Sequence, residues 1–571
     1  MEKASKPLGA GGGHHQLTRF ALGFALAALA TGSAYAGDGS PLRGNPMDSL
    51  PTIQAPQAAP PTFHLQAPTQ EQALQALLAR KIVPVKFGIE GVKSIPFATV
   101  AKLFAPLAGH QITIGELVAR ANDVTKLYQQ HGYLLSFGFV PAQDFKNGFV
   151  KIVVVEGYVA HTRITGNPGP SRAKLEAIAA HIQAERPLKR ATFERYLNVL
   201  TLVPGMHIKA DMKPPVRTDG ATDLTLDVRR KPIAVGVSLG TSDPGLRGLI
   251  TVTTNGLTPL GEQMQFATIV PKGPNHEEYY AASYSQMIGS NGLSLKLDAS
   301  HYRGVPHDQT LIDDNLTRHI DNKRAGATLS YPFVLNNQRR LVGSGGVYAV
   351  ENSDSYQSTV STANATSKVN IRVANAQLSY NETTPKQARS ASIAIYKGIN
   401  GLGASQSSNS PALGPYDLGF TRYVASATQS FVLPHQFGVV LAATGQYSPN
   451  TVPTPEQATF GGTRFGLGYP AGEVAGDSGW GASIEFNRLF RTSFAWLKTV
   501  QPYIEADTAR VYLNRGQLQH DKLASLALGV RVSDQRHYTF DLSLAKPVAD
   551  KPANSNNRSL RVNAAYSYRF D

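Results

Sequence analysis

The chain of 571 residues contains no cysteine, which excludes thiol catalysis, zinc–thiolate sites and any disulfide framework. After residue 36, no apolar run approaches the roughly 20 residues that a membrane-spanning helix needs. A Gly-x-Ser-x-Gly elbow, a His-Glu-x-x-His pair and an EF-hand loop are also missing. We therefore expect no catalytic residues, no metal site, no cofactor and no enzymatic activity.

The sequence is basic, with 55 Lys and Arg against 40 Asp and Glu and a formal net charge of +15. These charges occur singly or in pairs, and no helix or loop carries the concentrated basic patch that nucleic acid binding requires. The stretch GLGYPA is similar to part of a Gly-rich nucleotide fingerprint, but no helix is predicted after it. Neither nucleic acid nor a nucleotide is an expected partner.

The first residues carry an export pattern. Lys3, Lys6 and Arg19 precede the apolar run FALGFALAALA, and Ala34 and Ala36 form a small-x-small cleavage site. The run is about half the length of a spanning helix, which disfavours a membrane anchor. We predict a signal peptide over residues 1–36.

Residues 37–81 predict a linker that ends in a short helix. The segment 37–65 is rich in Pro, Gly, Ala and Ser and has no periodicity, as is typical of a linker. In TQEQALQALLARK, which starts at residue 69, Leu74, Leu77 and Leu78 share one helical face. The helix either packs on the neighbouring domain or acts as a detachable plug.

Two consecutive segments, 82–157 and 158–230, predict the same order of elements: strand, helix, helix, strand, strand. In the first segment, Asn147 and Gly148 predict the turn between the last two strands. Each small α+β module is expected to leave an open sheet edge that accepts an extended chain as an extra strand.

From residue 231 onward the helical period disappears and period-2 alternation takes over. The last residues, SLRVNAAYSYRFD, place apolar side chains at the even positions from Leu560 to Phe570. Sixteen candidate strands start near residues 232, 247, 262, 277, 292, 319, 338, 368, 387, 421, 436, 480, 500, 523, 537 and 558.

The connections between these strands differ in length by parity. Those after even-numbered strands are short (GSNG, LNNQ, LPHQ, SDQRH), whereas many after odd-numbered strands are long and polar, such as GVPHDQTLIDDNLTR and ENSDSYQSTVSTANATSK. Short turns at one end and long loops at the other are typical of an outer-membrane barrel. A soluble sandwich has no reason to sort its loops in this way, so we predict a transmembrane barrel over 231–571.

Three motifs carry a family resemblance. The stretch FVPAQDFKNGFVKIVVVEG resembles the signature of haemolysin-activator POTRA domains. FGGTRFGLGYPAGEVAGDSGWGASIEFNR resembles the sixth extracellular loop of the same family, expected here over 446–479, and QPYIEADTARVY resembles its barrel-wall segment. The POTRA signature residues are Pro141, Gln143, Asp144, Gly148, Glu156 and Gly157.

As a set, these motifs resemble the TpsB-type transporters of two-partner secretion (haemolysin activator and filamentous haemagglutinin transporter family, ShlB/FhaC/HecB type). The resemblance implies an outer-membrane β-barrel of about sixteen antiparallel strands, preceded by two periplasmic α+β POTRA domains. It implies that the modules bind an unfolded exoprotein and that the barrel passes it to the cell surface. An assembly factor for other barrels and a passive porin are the alternatives.

The resemblance also implies partners. The expected cargo is one large secreted exoprotein, whether adhesin, cytolysin or contact-dependent toxin. Outer-membrane lipid and the barrel-assembly machinery that inserts the chain are further expected partners. In family members, a helix such as the one predicted at 69–81 plugs the pore.

The resemblance finally places a gating motif in the sixth loop, with Glu485 and Asp507 as partners on the barrel wall. Where the family has arginine before Gly-Tyr, this chain has Leu467. Either Arg464 replaces that arginine, or packing of Tyr469 and Phe465 holds the loop in a less firmly closed pore. The residues of the motif are Arg464, Phe465, Leu467, Gly468, Tyr469, Gly476, Asp477 and Gly479.

Overall fold

The computed structural model describes residues 63–64 and 77–570, apart from 214, 216, 218, 243–244, 271–276, 307–310, 312–314, 464, 517–520, 554 and 556. The predicted signal peptide with Ala34 and Ala36, most of the linker, Leu74 of the predicted plug helix, and Arg464 lie outside the described residues. Within the described part of the chain, no helix combines the length and apolarity needed to cross a membrane.

The first module has one three-stranded sheet covered by two helices. Its sheet order is β3-β6-β5, with β3 parallel and β5 antiparallel to β6, and a small pair β2–β4 lies beside it. The elements are β2 Lys81–Ile82, β3 Lys86–Glu90, α1 Phe97–Phe104, β4 Ile112–Thr113, α2 Ile114–Gln130, β5 Phe137–Phe139 and β6 Phe149–Val155.

Local sequence signals explain the ends of these elements. Thr113 and Glu116 form a reciprocal capping box at the start of α2. Gly132 follows the helix with φ 85°, a conformation that favours glycine. Asn147 and Gly148 have φ of 60° and 65° and lie at the end of the connection 140–148, in the 3-10 turn that leads into β6. The first module thus has the order of elements that the sequence predicts.

The second module repeats this architecture. Its elements are β7 Tyr158–Gly166, α3 Arg172–Ala184, α4 Arg190–Thr201, β8 Met206–Met212 and β9 Ala221–Arg230. A further short strand, β1 Phe63–His64, pairs in parallel with β8, so the sheet order is β1-β8-β9-β7. Because β1 comes from the segment before the first module, the chain itself covers part of one edge that the sequence leaves open.

Sixteen antiparallel strands form a closed barrel. The first and last strands close it, in a register from Val235 opposite Phe570 to Gly240 opposite Ala565. The strands are β10 Ile233–Ser242, β11 Gly245–Asn255, β12 Gln263–Ile269, β13 Glu278–Ile288, β14 Leu293–Gly304, β15 Leu316–Leu335, β16 Arg339–Ser358, β17 Asn364–Thr383, β18 Gln387–Gly398, β20 Thr421–Val432, β21 Phe437–Tyr447, β24 Ser478–Arg488, β26 Thr499–Tyr512, β27 Lys522–Ser533, β28 Tyr538–Pro547 and β29 Arg561–Phe570.

Four short strands and several single turns accompany the barrel. The strands are β19 Ser405–Ser408, which adds to β17, the loop hairpin β22 Ala458–Phe460 and β23 Val474–Gly476, and β25 Phe490–Arg491, which pairs with β26. Single 3-10 turns lie in the connections of the barrel at Pro411–Leu413, Pro434–Gln436 and Thr454–Glu456, and others lie in the modules at Ala105–Leu107, Lys146–Gly148 and Gly169–Ser171.

Alternating side chains give the barrel an apolar outside and a polar inside. On β27, Leu526 and Leu528 are 58% and 59% exposed, whereas Ser525, the residue before Leu526, is 1% exposed. On β29, Val562 and Phe570 face outward, and the Asn563 amide contacts a loop inside the barrel. Period 2 therefore predicted both faces correctly, because consecutive residues of a strand point to opposite sides.

One prediction about the loops was wrong. Most of ENSDSYQSTVSTANATSK is strand, since β16 ends at Ser358 and β17 begins at Asn364. The strands β15, β16 and β17 have 20 residues each, about twice the 9–11 that cross a bilayer. Their polar outer halves continue to pair beyond the membrane, and polar sequence alone does not reveal such pairing.

The second module rests on turns at one end of the barrel. Lys174 Nζ donates to Met287 O over 2.6 Å, and Arg195 donates to Pro332 O over 3.1 Å. Met287 and Leu335 belong to the hydrophobic core of the module. These turns follow β13 and β15, which are the fourth and sixth strands of the barrel. The long loops, which follow odd-numbered barrel strands, therefore lie at the opposite end.

Candidate functional site

The connection between β21 and β24 folds back into the barrel. It spans residues 448–477, because Gln446 and Gly479 already pair as strand residues and shorten the predicted 446–479 at both ends. Its middle forms the hairpin β22·β23, and most of its described residues are buried. The sixth loop is therefore a structured insertion in the lumen.

Glycines allow the tip of this loop to approach its neighbours closely. Gly461 has φ 123°, and a Cβ there would lie 2.3 Å from Pro470 O across the hairpin. A Cβ on Gly468 would lie 2.6 Å from Pro547 N of the barrel wall. A larger residue at Gly461 would distort the hairpin, and a larger residue at Gly468 would displace the tip from the wall.

Backbone groups of the tip make its polar contacts with the wall. Leu467 N donates to Asp507 Oδ2 over 3.0 Å, and Gly468 N donates to Ser525 Oγ over 2.9 Å. Asn563 Nδ2 donates to Leu467 O over 3.0 Å. Asp507 thus binds the position where the family has arginine, but it does so through the main chain of Leu467.

Aromatic packing accompanies these hydrogen bonds. Tyr469 is fully buried with Phe460 and the wall residues Val511 and Leu523, and Phe465 packs against this cluster. Tyr469 Oη donates to Asp550 O over 2.8 Å. These contacts correspond to the alternative in which Tyr469 and Phe465 hold the loop, while the role predicted for Arg464 stays a prediction.

Asp477 ties the two limbs of the loop to each other and to the connection after β26. Its Oδ1 accepts from Val452 N over 2.8 Å and its Oδ2 from Asn514 N over 2.7 Å. Gly476 and Gly479 lie so close to β26 that a Cβ would approach Tyr512 O to 2.7 Å and Arg510 O to 2.9 Å, respectively. The motif therefore fixes both limbs of the hairpin where they leave the strands.

Glu485, predicted as a wall partner of the loop, contacts other wall residues instead. Its Oε1 and Oε2 accept from Arg531 over 3.0 and 2.5 Å, and Oε1 also accepts from Asn487 Nδ2. Arg531 in turn contacts Asp541. Among the described contacts, Asp507 alone of the predicted wall pair meets the loop, because Arg531 already neutralises Glu485.

Sequence motifs missed a second polar contact of the loop. Glu456 of the loop forms an ion pair with Arg422 of β20, and Tyr348 Oη of β16 donates to its carboxylate over 2.8 and 2.9 Å. These residues lie far apart in the chain and outside every motif. The sequence could have indicated this contact only through charged or hydroxyl side chains at strand positions that face the lumen. Many other residues have the same character, so this signal does not single out Arg422 and Tyr348.

The POTRA signature residues hold the first module together. Glu156 accepts hydrogen bonds from Lys93 N, Ser94 N, Ser94 Oγ and Tyr128 Oη over 2.7 to 2.9 Å. Burial by itself would raise the pKa of Glu156, but the donors of Ser94, Lys93 and Tyr128 lower it below its usual value. Glu156 is therefore a charged clamp between β6 and the loop before α1.

The other signature residues have structural positions in the same region. Gln143 Oε1 accepts from Lys151 N over 2.7 Å and its Nε2 donates to Lys151 O over 2.8 Å. Gly148 forms the turn, and a Cβ on Gly157 would lie 2.4 Å from Leu135 O. Pro141 and Asp144 lie in the same connection between β5 and β6.

Only the end of the predicted plug helix lies among the described residues. Leu77 and Leu78 are helical, Leu77 is 52% exposed, and Leu78 packs against the core of the first module. This end of the helix thus contacts the module. A plug role for the preceding residues stays a prediction.

Two family models match the chain. Residues 84–157 match the ShlB-type POTRA domain, and residues 262–532 match the haemolysin secretion/activation protein family ShlB/FhaC/HecB. The heme/hemopexin transporter protein HuxB of Haemophilus influenzae (strain 86-028NP) is 19% identical over 469 residues, which are 80% of this chain and 82% of that protein.

Solved structures show the same fold. CdiB from Escherichia coli superimposes with a TM-score of 0.66 at 16% identity, over 88% of this chain and 93% of that chain. CdiB from Acinetobacter baumannii gives 0.58 at 15% identity, over 90% and 94% of the two chains. The likeness covers the modules and the barrel together.

Proposed function

The chain belongs to the haemolysin secretion/activation family ShlB/FhaC/HecB, the TpsB-type transporters of two-partner secretion, and we propose that its cargo is one large exoprotein. It is an outer-membrane barrel with POTRA domains in the periplasm. The modules capture the unfolded cargo and the barrel conducts it to the cell surface. We propose an adhesin, cytolysin or contact-dependent toxin as the class of cargo, and no catalytic step.

The observation that carries this proposal is the sixth loop inside the lumen. A barrel of sixteen strands encloses a channel wide enough for water and solutes. Here the hairpin contacts β16 and β20 on one side of the ring and β26, β27 and β29 on the other. A channel crossed by its own loop suits a conduit that opens for one substrate better than a passive porin.

Capture in the periplasm is proposed to use the sheet edges of the modules. In the first module, β3 and β5 are the outer strands, and in the second, β8 has two residues of β1 on its edge. An extended segment of cargo can add to such an edge through main-chain hydrogen bonds, independently of its sequence. Unfolded cargo is therefore suited to this mode of binding.

The test is a comparison of secreted and surface proteins from cells with and without the gene. We expect the loss of one or a few very large proteins while the amounts of other barrels stay unchanged. A broad decline of outer-membrane barrels would instead show an assembly factor, and unchanged protein profiles with reduced solute uptake would show a porin.

A further inference from the structure

The sixth loop is held at two places that differ in chemistry. Its tip is held by main-chain hydrogen bonds of Leu467 and Gly468, the first to the Asp507 carboxylate and the second to the Ser525 hydroxyl, and by the packing of Tyr469. At the opposite side of the lumen, the loop contributes a carboxylate, Glu456, to an ion pair. The proximal limb that carries Glu456 is the 3-10 turn Thr454–Glu456.

The ion pair of Glu456 is closed off from solvent. The Glu456 side chain is 0% exposed and the Arg422 side chain is 1% exposed. Tyr348 Oη donates to both carboxylate oxygens, and the Arg422 guanidinium lies 4.0 Å from the centre of the Tyr396 ring. The Glu456 carboxylate therefore has both the guanidinium and the Tyr348 hydroxyl as partners, whereas Arg422 Nε has no hydrogen-bond partner among the described residues.

Gln446 extends this arrangement to the main chain of the loop. Arg422 Nη1 donates to Gln446 Oε1 over 3.0 Å, and Gln446 Nε2 donates to Glu456 O over 2.7 Å and to Asp477 O over 3.2 Å. The same glutamine thus touches both limbs of the hairpin. Arg422 orients Gln446, and both keep the base of the loop at the wall of β20 and β21.

We propose that Arg422 and Glu456 form the fixed pivot of the pore gate, so that the loop opens by release of its tip while its base stays on the wall. Opening the ionic end would leave a carboxylate or a guanidinium buried without its partner, which is strongly unfavourable. Opening the tip breaks the hydrogen bonds of Leu467 and Gly468 but separates no ion pair among the described residues, and the groups that it frees, the Asp507 carboxylate included, find water or the passing chain instead. The hairpin then swings about residues 452–457 and 477.

Arg422 is a positioning residue in this scheme, because it acts through Glu456 and Gln446 and need not touch cargo. Another buried ion pair of the lumen provides a matched comparison. Arg318 and Asp354 are each 5% exposed, and Arg318 Nη2 donates to Asp354 Oδ2 over 2.6 Å. That pair joins the neighbouring wall strands β15 and β16 through two hydrogen bonds, from Arg318 Nε and Nη2 to the Asp354 carboxylate.

The proposal is tested with the purified full-length protein in planar lipid bilayers, without cargo. We expect Glu456→Gln to raise the open probability of the channel by roughly 100-fold or more, because the loop loses its fixed end. Arg422→Lys keeps the charge but loses the guanidinium fork, so we expect an intermediate increase. Asp354→Asn should change the open probability by less than about threefold. The resistance of the folded barrel to unfolding in SDS without heating identifies variants that fold.

A second experiment tests which part of the loop moves. Because the chain has no cysteine, Leu467→Cys with Asn563→Cys introduces the sole disulfide, between tip and wall. We expect the oxidised form to stay closed in the bilayer and to reopen after reduction. The pivot is refuted if Glu456→Gln stays closed, if Asp354→Asn opens the channel equally, or if the oxidised tip still opens. None of these recordings uses cargo, so a failure of the pivot is distinguishable from a failure of the proposed secretion function.

Discussion

Truncation of Tyr469 gives a quantitative test of how the loop tip closes the pore. The ring is fully buried against Phe460, Val511 and Leu523, and its hydroxyl donates to Asp550 O over 2.8 Å. Removing a buried aromatic side chain costs about 3–5 kcal/mol, and losing one neutral hydrogen bond costs about 1 kcal/mol. If these contacts exist only in the closed state, Tyr469→Ala lowers the closed-to-open ratio by about 10³ to 10⁴-fold and Tyr469→Phe by about 5- to 10-fold.

The assay is the open probability of the full-length channel in a planar bilayer, together with the sensitivity of cells to a large antibiotic that an intact outer membrane excludes. Phe486→Ala is the matched control, because Phe486 lies on the lipid-facing side of β24 and is 43% exposed. Equal leakage from Tyr469→Phe and Tyr469→Ala would show that the hydroxyl, and not the ring, determines closure. A silent Tyr469→Ala would refute the reasoning, because the tip would then contribute nothing to the closed state.

Three further predictions concern other contacts. Leu467→Arg places a guanidinium beside the buried carboxylate of Asp507, so we expect about tenfold fewer openings in the bilayer; an unchanged open probability would show that the side chain at 467 does not reach the acid. Glu156→Gln should destabilise the first module by about 2 kcal/mol at neutral pH, measured by its rate of limited proteolysis in the full-length protein. Because the folded pKa of Glu156 is lowered, its contribution to stability is present above the usual carboxyl pKa of about 4.3 and is lost as the pH falls through the lower folded value. The difference in proteolysis rate between variant and parent should therefore disappear in acid. A difference that persists in acid would contradict the charged clamp. Arg195→Ala removes hydrogen bonds to Pro332 O and Tyr331 Oη. We therefore expect faster amide exchange in the turn after β15 and unchanged exchange in the turn after β27. If the module did not rest on the turn after β15, the variant would leave the exchange of both turns unchanged.

The sequence was sufficient for the strands and their inward and outward faces. Each of the sixteen predicted starts lies within four residues of an observed strand, because alternation is imposed by lipid on one side and a polar lumen on the other. The polar extensions of β16 and β17 escaped prediction, since outside the membrane neither face has to be apolar. Strand pairing there depends on the neighbouring strand and on β19, which a local pattern does not contain.

The site was predicted only where a motif carried it. The position of the sixth loop and Asp507 followed from the family resemblance, but the actual bond from Leu467 N could not, because a backbone donor leaves no trace in the sequence. Arg422 and Glu456 are 34 residues apart along the chain and meet only after the barrel closes. Many acidic and basic residues face the lumen, and one sequence does not determine which of them form ion pairs.

The difference between the two ends of the loop bears on how a secretion pore can be both tight and easily opened. Two neutral hydrogen bonds at the tip contribute about 2 kcal/mol, the one to the Asp507 carboxylate about 1.5–3 kcal/mol and the buried Tyr469 ring about 3–5 kcal/mol, a combined total of about 7–10 kcal/mol. A closed state favoured by this amount leaves the channel open for about one part in 10⁵ to 10⁷ of the time, which limits leakage. A passing chain that supplies its own backbone groups to Asp507, Ser525 and Asn563 replaces the same bonds one by one. The arginine of the family would add a buried ion pair to this end and make its release costlier, so Leu467 keeps the tip as the weaker end of the loop.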